Sequence, residues 1–167
     1  MADKGDIGPV KGISVAGSLP RHIADRQAES ARNALKGHGI DDASVESVTV
    51  NTASPGTCIT LWAEYEDTVL GSDSIGEIGK PAEKVGKECA DGLIKSIESG
   101  AVLDGWMSDQ MLVFLALADG ISKVKIQEFT DHVRSNIMII ESMLKARFEV
   151  KERENTVSVN GIGYCKA

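Results

Sequence analysis

The chain has 167 residues, of which 42% are hydrophobic and 26% are charged. These proportions are typical of globular proteins and exclude a wholly disordered or fibrous chain. The net charge of −7 and the few aromatic residues, 2 Trp, 2 Tyr and 3 Phe, argue against a general electrostatic or base-stacking binder of nucleic acid. Contact with nucleic acid is therefore expected only at a local site.

Cysteine spacing and hydropathy indicate the cellular setting. Cys58, Cys89 and Cys165 are too far apart for a CxxC motif, and their odd number argues against a disulfide framework. No apolar run approaches the roughly 20 residues of a membrane span. The first residues, MADKGDIGPVKG, lack the apolar core of a secretory signal. We therefore expect reduced thiols and a cytoplasmic protein.

The first predicted elements are a strand and a helix. Alternation over 10–19 predicts the strand, and Pro20 lies where a helix can begin without losing a needed N–H group. Glycines just after residue 36 end the predicted helix, which covers 20–36. Its inward face follows from helical spacing: Ala24, Ala28, Ala31 and Leu35.

Two further strands and a second helix follow. The strands are ASVESVTVNT (43–52) and GTCITLWAEY (56–65). The glycine-rich stretch GSDSIGEIGKPAEKVG (71–86) is interpreted as a loop that leads into a helix near 81–98. The inward face of that helix is again given by its spacing: Val85, Cys89, Leu93 and Ile97.

The rest of the chain predicts a smaller block of helices and strands. We expect a helix over 106–118, a strand over 122–129, a helix over 130–145 and a hairpin-like pair of strands near 146–151 and 155–160. A block of about 65 residues is small enough to need something else to pack on.

The stretch GSDSIGEIGK invites comparison with phosphate-binding loops, because glycines free backbone N–H groups to face an anion. A Walker A motif needs a glycine five residues before its Gly-Lys pair and a hydroxyl after the lysine, whereas those positions hold Ser74 and Pro81. The spacing excludes a P-loop and favours a turn that Pro81 caps into a helix.

Two of the three histidines have settings typical of solvated residues. His38 lies between glycines just after a helix end, and His22 lies in the first turn of the first helix beside Arg21 and Arg26. No two histidines are close enough in sequence to predict a zinc site. Neither residue is therefore assigned a role.

His132 stands at the start of a helix. Thr130 is a suitable N-cap, Asn136 lies one turn above His132 on the same side, and the apolar face comprises Val133, Ile137, Ile140 and Leu144. A helix start attracts phosphate and disfavours protonation of an imidazole, which keeps it nucleophilic. From these residues alone, a histidine at a helix start is more often structural than catalytic.

The segment DGWMSDQMLVFLALADG holds a second candidate site. On a helix, Trp106, Asp109, Gln110 and Val113 share one face, and another face is shared by four apolar residues: Met107, Met111, Phe114 and Leu115. An aromatic ring, a carboxylate and an amide side by side could hold a base with its ribose or a metal. They could equally form a partly exposed helix edge, and from the residues alone that interpretation is favoured.

Five segments, taken together and in order, resemble the RNA 3′-terminal phosphate cyclase family, most closely its archaeal form. The likeness extends over almost the whole chain, and these segments carry it: SVAGSLPRHIADRQ (14–27), SPGTCITLWAE (54–64), GSDSIGEIGKPAEKVGKE (71–88), ESGAVLDGWMSDQM (98–111) and HVRSNIMIIESMLKARFEV (132–150).

The resemblance implies functional residues. It places a nucleophilic histidine at His132, followed by Asn136 and Glu141. It places the ATP-contacting segment on five consecutive residues: Trp106, Met107, Ser108, Asp109 and Gln110. Family members use ATP and a divalent cation such as Mg²⁺ to convert an RNA 3′-phosphate into a 2′,3′-cyclic phosphate through AMP bound to histidine. No metal ligand is assigned in this chain.

The resemblance also implies an α+β fold in two parts. Residues 5–100 resemble a small inserted βαββα domain, and 101–162 resemble the closing α/β part of a repeat-built main domain like that of EPSP synthase. Family members are about twice as long, and their N-terminal half carries a GEGGGQ-like turn and several arginines. We therefore expect an incomplete active site and, as partner, the N-terminal half of the enzyme.

Two other functions stay open. The superfamily includes cyclase-like proteins that lack the histidine and bind RNA or protein without catalysis, and the presence of His132 argues against that alternative. Independently of chemistry, the first 100 residues could serve as a protein-interaction domain.

Overall fold

The computed structural model describes residues 4–165. They form two compact units, one of residues 6–98 and one of residues 99–165 together with residues 4 and 5. The chain therefore runs from residues 4 and 5 of the second unit through the first unit and back into the second. Lys4 belongs to the second unit, where burial and the charge of Lys125 lower the pKa of its ammonium group.

The first unit is a four-stranded sheet covered on one face by two helices. Its elements are β1 (Ile7–Gly17), α1 (Arg21–Gly37), β2 (Ser44–Val50), β3 (Gly56–Tyr65), β4 (Val69–Ile75) and α2 (Ala82–Glu98). The strand order is β2-β1-β3-β4. Strands β1 and β2 are parallel, and the other pairs are antiparallel.

The predicted inward faces of both helices are confirmed. Every predicted core residue of α1 is fully buried, and so are Cys89 and Leu93 of α2. The helices approach closely, because a Cβ atom at Gly86 would lie 2.1 Å from the carbonyl oxygen of Gln27. Between sheet and helix, Oε1 of Gln27 accepts hydrogen bonds from Ser14 at 2.9 Å and Thr57 at 2.8 Å.

The first unit has one strand more than the predicted βαββα. Val69–Ile75, partly interpreted as a loop, forms β4 along β3, with Glu64 opposite Val69 and Cys58 opposite Ile75. Glycine and serine have low strand propensity, but the free edge of β3 supplies hydrogen bonds that override it. Only residues 76–81 remain a connection into α2.

The second unit combines two helices with a three-stranded antiparallel sheet. Its elements are α3 (Met107–Leu117), β5 (Asp119–Lys125), α4 (Asp131–Met143), β6 (Phe148–Lys151) and β7 (Thr156–Ile162), in the sheet order β5-β7-β6. The predicted pair of terminal strands is confirmed.

Strand β5 begins three residues and ends four residues earlier than predicted. Its register is set by β7, which pairs Asp119 with Ile162 and Lys125 with Thr156. Beyond Lys125 the chain keeps one parallel bridge, between Leu103 and Ile126. The following residues leave the sheet and lead to α4.

Apolar side chains of the second unit are divided between a core and the surface. In α4, Val133 and Ile140 are buried, and Ile137 and Leu144 pack partly buried against them, as predicted. Helix α3 instead buries the stripe Ser108, Leu112 and Ala116. Large apolar side chains therefore remain exposed on the two helices and at the residue before α3: Trp106, Met107, Val113, Phe114, Met138, Ile139 and Met143.

The observed elements confirm the α+β class. The likeness to EPSP synthase and the domain limits 5–100 and 101–162 stay predictions. Within residues 4–165, no helix has the length and apolar character needed to cross a membrane. The cytoplasmic location also stays a prediction.

Candidate active site

The start of α4 is capped as the sequence predicts. Thr130 has extended backbone angles, and its hydroxyl accepts a hydrogen bond from the N–H of Val133 at 3.2 Å. His132 is exposed in the first turn. Asp131 adds a carboxylate to the same turn, and its negative charge opposes the attraction of this helix start for a phosphate. The imidazole is accessible to a ligand.

Arg134, two residues after His132, forms an ion pair with Glu152. This hydrogen bond raises the pKa of the guanidinium and lowers that of the carboxyl group. The guanidinium also lies 6.0 Å from the centre of the Phe129 ring. A phosphate that approached Arg134 would have to compete with Glu152.

The start of α3 is capped by the carboxylate of Asp104. Oδ1 of Asp104 accepts hydrogen bonds from the N–H groups of Trp106 at 3.1 Å and Met107 at 2.9 Å. The Asp104 carbonyl oxygen accepts from the N–H of Ser108 at 3.0 Å. Asp104 is buried, so its position fixes the geometry of residues 106–108.

The five predicted nucleotide contacts of α3 differ in accessibility. Trp106 is 68% exposed and Met107 is 38% exposed. Gln110 is exposed and Asp109 is half-buried. Ser108 is only 1% exposed. Four of the five side chains can be reached from solvent, whereas Ser108 faces the interior.

One hydrogen bond joins the two candidate segments. Nδ2 of Asn136 donates to the carbonyl oxygen of Asp109 at 3.4 Å. Because Asn136 lies one turn after His132, this bond brings the first turns of the histidine helix into contact with the first turn of α3. The structure thus joins the two segments that the sequence singled out 20 residues apart.

Glu141, the third residue of the histidine motif, stabilises the turn after α4. Its Oε1 atom accepts a hydrogen bond from the N–H of Phe148 at 2.7 Å. Its carbonyl oxygen accepts from Nη1 of Arg147 at 2.9 Å. These contacts hold the start of β6 against the end of α4.

The two other histidines have simple surroundings. His22 is exposed in the first turn of α1. His38 is exposed after the end of α1, with its Nδ1 atom 3.3 Å from Glu98. Among residues 4–165, no three His, Cys, Asp or Glu side chains are placed to bind one metal ion.

Sequence reasoning missed Asp104 and Gln127. The N–H of Gln127 donates to the hydroxyl of Ser108 at 3.4 Å, and the Gln127 carbonyl oxygen accepts from Nδ2 of Asn155 at 3.3 Å. The position of Asp104, three residues before the first residue of α3, is a local sign of a capping residue. Gln127 has no such sign, because its partners come from distant segments.

Comparison with known proteins covers both units. The family model for the insert domain of RNA 3′-terminal phosphate cyclase matches residues 2–98. RNA 3′-terminal phosphate cyclase of Methanothermobacter thermautotrophicus is 45% identical over 150 residues, which cover 89% of this chain and 44% of that protein.

Two other archaeal relatives carry the same name. The protein of Pyrobaculum aerophilum is 39% identical over 163 residues, 96% of this chain and 47% of the relative. The protein of Pyrococcus furiosus is 39% identical over 142 residues, which cover 85% of this chain and 41% of that relative. The chain spans about half the length of these curated relatives and matches their C-terminal part. The insert-domain model matches residues 2–98, and these relatives match most of the chain. The chain therefore belongs to the RNA 3′-terminal phosphate cyclase family.

Proposed function

We propose that this chain is the C-terminal portion of an ATP-dependent enzyme that converts an RNA 3′-phosphate into a 2′,3′-cyclic phosphate, with His132 as its nucleophile. The observation that carries this proposal is the exposed imidazole at the capped start of α4, joined to the nucleotide segment of α3 by the hydrogen bond from Asn136 to Asp109.

The first step is transfer of AMP to the histidine. Nε2 of His132 attacks the α-phosphorus of ATP, a P–N bond forms, and the bond to the oxygen that bridges the α- and β-phosphates breaks. Pyrophosphate leaves, and the Nδ1 proton is lost to solvent. Trp106, Met107, Asp109 and Gln110 are the accessible side chains of α3 that would orient the nucleotide.

Two further steps return the enzyme and close the ring. An oxygen of the RNA 3′-phosphate attacks the phosphorus of the histidine-bound AMP, the P–N bond breaks, and the ring takes up a proton from solvent to restore the neutral imidazole. The neighbouring 2′-hydroxyl then attacks the activated 3′-phosphorus, loses its proton and expels AMP. This last step is fast because nucleophile and electrophile are held on one ribose.

A divalent cation, Mg²⁺ or a similar ion, would accompany ATP and offset its phosphate charge. Residues 4–165 place no three ligating side chains together. A nucleotide-bound Mg²⁺ takes most of its ligands from phosphate oxygens and water. We therefore propose that the cation arrives with the nucleotide, and none of the steps above is assigned to a resident metal.

Transfer of label from ATP tests the nucleophile. The full chain is incubated with Mg²⁺ and ATP labelled at the α-phosphorus, with and without the N-terminal part of the Methanothermobacter thermautotrophicus relative. We expect acid-labile label on the chain that disappears in His132→Ala. His22→Ala is the matched control, because His22 is also exposed in the first turn of a helix, and it should keep the label.

Absence of label on the wild-type chain with both parts present would contradict the proposed function. Label that survives in His132→Ala would keep the enzyme class but assign the nucleophile to another residue. With RNA ending in a 3′-phosphate, the labelled mixture should release AMP and form a 2′,3′-cyclic end.

The helices of the second unit support a role for an N-terminal half. Phe114 is 62% exposed, Met138 71% and Met143 78%, and large apolar side chains on neighbouring helices are usually covered by another surface. We propose that the N-terminal half, which makes up the unmatched part of the relatives, covers them. Co-purification of the two parts, weakened by Phe114→Lys with Met138→Lys, tests this association.

The alternative is a non-catalytic binding module of the same family. The effect of ATP on the melting temperature separates the two functions, because a ligand that binds only the folded state raises its stability. ATP should raise the melting temperature of the combined parts. An unchanged melting temperature together with absent label would favour the binding module.

A further inference from the structure

Ser108 has a different environment from its neighbours in the nucleotide segment. Its hydroxyl donates a hydrogen bond to the carbonyl oxygen of Asp104 at 2.6 Å and accepts one from the N–H of Gln127 at 3.4 Å. With 1% exposure, its oxygen is enclosed by protein. The single hydroxyl proton is already used, so the side chain has no donor left for a phosphate or a ribose.

The two partners of this hydroxyl lie in segments that lead to the two halves of the proposed site. Asp104 caps α3 through its carboxylate, so it orients the first turn of the nucleotide segment. Gln127 follows β5 by two residues, and three residues later Thr130 caps α4. Gln127 lies only five positions before His132.

Backbone contacts also fix the position of the end of β5, just before Gln127. The N–H of Val102 donates to the carbonyl oxygen of Lys125 at 3.0 Å, and that of Ile126 donates to Asn155 at 2.8 Å. Leu103 forms a parallel bridge with Ile126. The Ser108 hydroxyl therefore connects the start of α3 to a segment that is held by backbone hydrogen bonds to Val102 and to Asn155.

We infer that Ser108 is a positioning residue: its hydroxyl, held between Asp104 and Gln127, sets the placement of the α3 nucleotide segment relative to His132 without touching the nucleotide. The inference rests on the proposed function and assigns Ser108 a different role from the nucleotide contact that its sequence position predicts. It adds Asp104 as the residue that carries this placement to the first turn of α3.

If Ser108 is a positioning residue, removing its hydroxyl should slow AMP transfer without weakening ATP binding. In Ser108→Ala the accessible side chains of α3 remain, so the ATP concentration for half-maximal rate should change less than about twofold. The rate of AMP transfer to His132 at saturating ATP should fall about tenfold or more, because small displacements of reacting groups reduce rates strongly. A direct contact with bound ATP would instead raise the half-saturating concentration.

The experiment measures the rate of label transfer against ATP concentration, using the full chain with the N-terminal part of the relative. Each variant is assayed well below its own melting temperature. Ser142→Ala is the matched control, since it removes an exposed hydroxyl that donates to Ile139 at 2.7 Å within α4, and it should behave as wild type. Asp104→Asn keeps the Oδ1 acceptor and should retain most of the rate. Asp104→Ala should behave like Ser108→Ala: the rate of AMP transfer should fall, and the half-saturating ATP concentration should change little.

The outcomes are distinguishable. No label on the wild-type chain overturns the proposed function and this inference with it. A labelled wild type with an unchanged rate in Ser108→Ala, or with a half-saturating ATP concentration raised tenfold, overturns only the positioning role. If Ser108→Ala fails to fold, the two Asp104 variants decide, and equal rates in them would refute the inference.

Discussion

The two units differ in how completely they bury their apolar side chains. In residues 6–98, two 17-residue helices present a buried stripe to one face of a four-stranded sheet. In residues 99–165, a three-stranded sheet supports two shorter helices, and large apolar side chains of both remain exposed. The first unit also exposes large apolar side chains, such as Ile75 and Ile78, but the buried faces of its two helices pack on the sheet. We propose that the unit that carries the proposed site needs a further surface to cover its helices.

The largest expected difference is in autonomous folding. Residues 1–98 produced alone should melt in one cooperative transition, because their sheet and helices form a continuous core. Residues 99–167 alone should give a broad, weak transition or associate. Calorimetry and sedimentation of both pieces measure this, and a sharp monomeric transition from the second piece alone would break the comparison.

The reactivity of the Cys89 thiol reports whether the first unit is folded. Burial raises the pKa of its thiol to about 12 from an ordinary 9.0, so at pH 8 it holds about a thousandfold less thiolate than an exposed cysteine. The exposed Cys165 should react with iodoacetamide, and Cys89 should react only after unfolding. Mass spectrometry of the labelled peptides reports the result.

The same thiol gives a pH dependence. Since the folded state holds this proton more tightly than the unfolded state, the stabilisation is complete below about pH 9 and is lost as the pH rises towards 12. Urea unfolding of wild type and Cys89→Ala at pH 8 and pH 10.5 tests the sign. A wild type that gains stability relative to Cys89→Ala at the higher pH would contradict it.

Close backbone packing in each unit can be tested by replacing a single glycine with alanine, which adds one methyl group. A Cβ at Gly86 would lie 2.1 Å from the carbonyl oxygen of Gln27, and one at Gly161 would lie 2.1 Å from that of Ala118. We expect Gly86→Ala to destabilise the first unit by about 3 kcal/mol, and Gly161→Ala to act on the second. Gly37→Ala, where a Cβ meets nothing within 4 Å, is the control and should stay within about 0.5 kcal/mol. Equal unfolding free energies for Gly86→Ala and Gly37→Ala would show that the helices separate easily.

The smallest expected effect concerns the cap of α4. Thr130→Ala removes the acceptor of the Val133 N–H group and should cost about 1 kcal/mol, while Thr130→Ser should be nearly neutral. Hydrogen exchange at Val133 and Arg134 measures local opening. Faster exchange confined to this helix start would confirm that the cap acts locally.

Local patterns could be predicted from the sequence, and features set by distant partners could not. The stripes of α1 and α2 follow from helical spacing, and the Thr130 cap follows from the residue type. Strand β4 was missed because Gly71 and its neighbours form a strand only along the edge of β3. In α3, apolar residues occur on every side, so spacing could not indicate that Ser108, Leu112 and Ala116 face inward.

The site shows the same division. The sequence singled out His132 and residues 106–110 separately, and it placed Asn136 on the same side of its helix as His132. Their connection through the Asp109 carbonyl oxygen depends on how α3 and α4 pack, which no local pattern encodes. The hydrogen bond between Ser108 and Gln127 is hidden for the same reason.

The path of the chain, which places residues 4 and 5 in the second unit and returns to that unit only after residue 98, has a consequence for the order of folding. Contacts between Lys4 and the second unit close a loop of more than 90 residues, whose entropic cost is high while the loop is a flexible coil. A folded first unit replaces that coil with a compact body of fixed span. Refolding should therefore be sequential, with ordering of residues 4 and 5 as a late phase that follows formation of the four-stranded sheet.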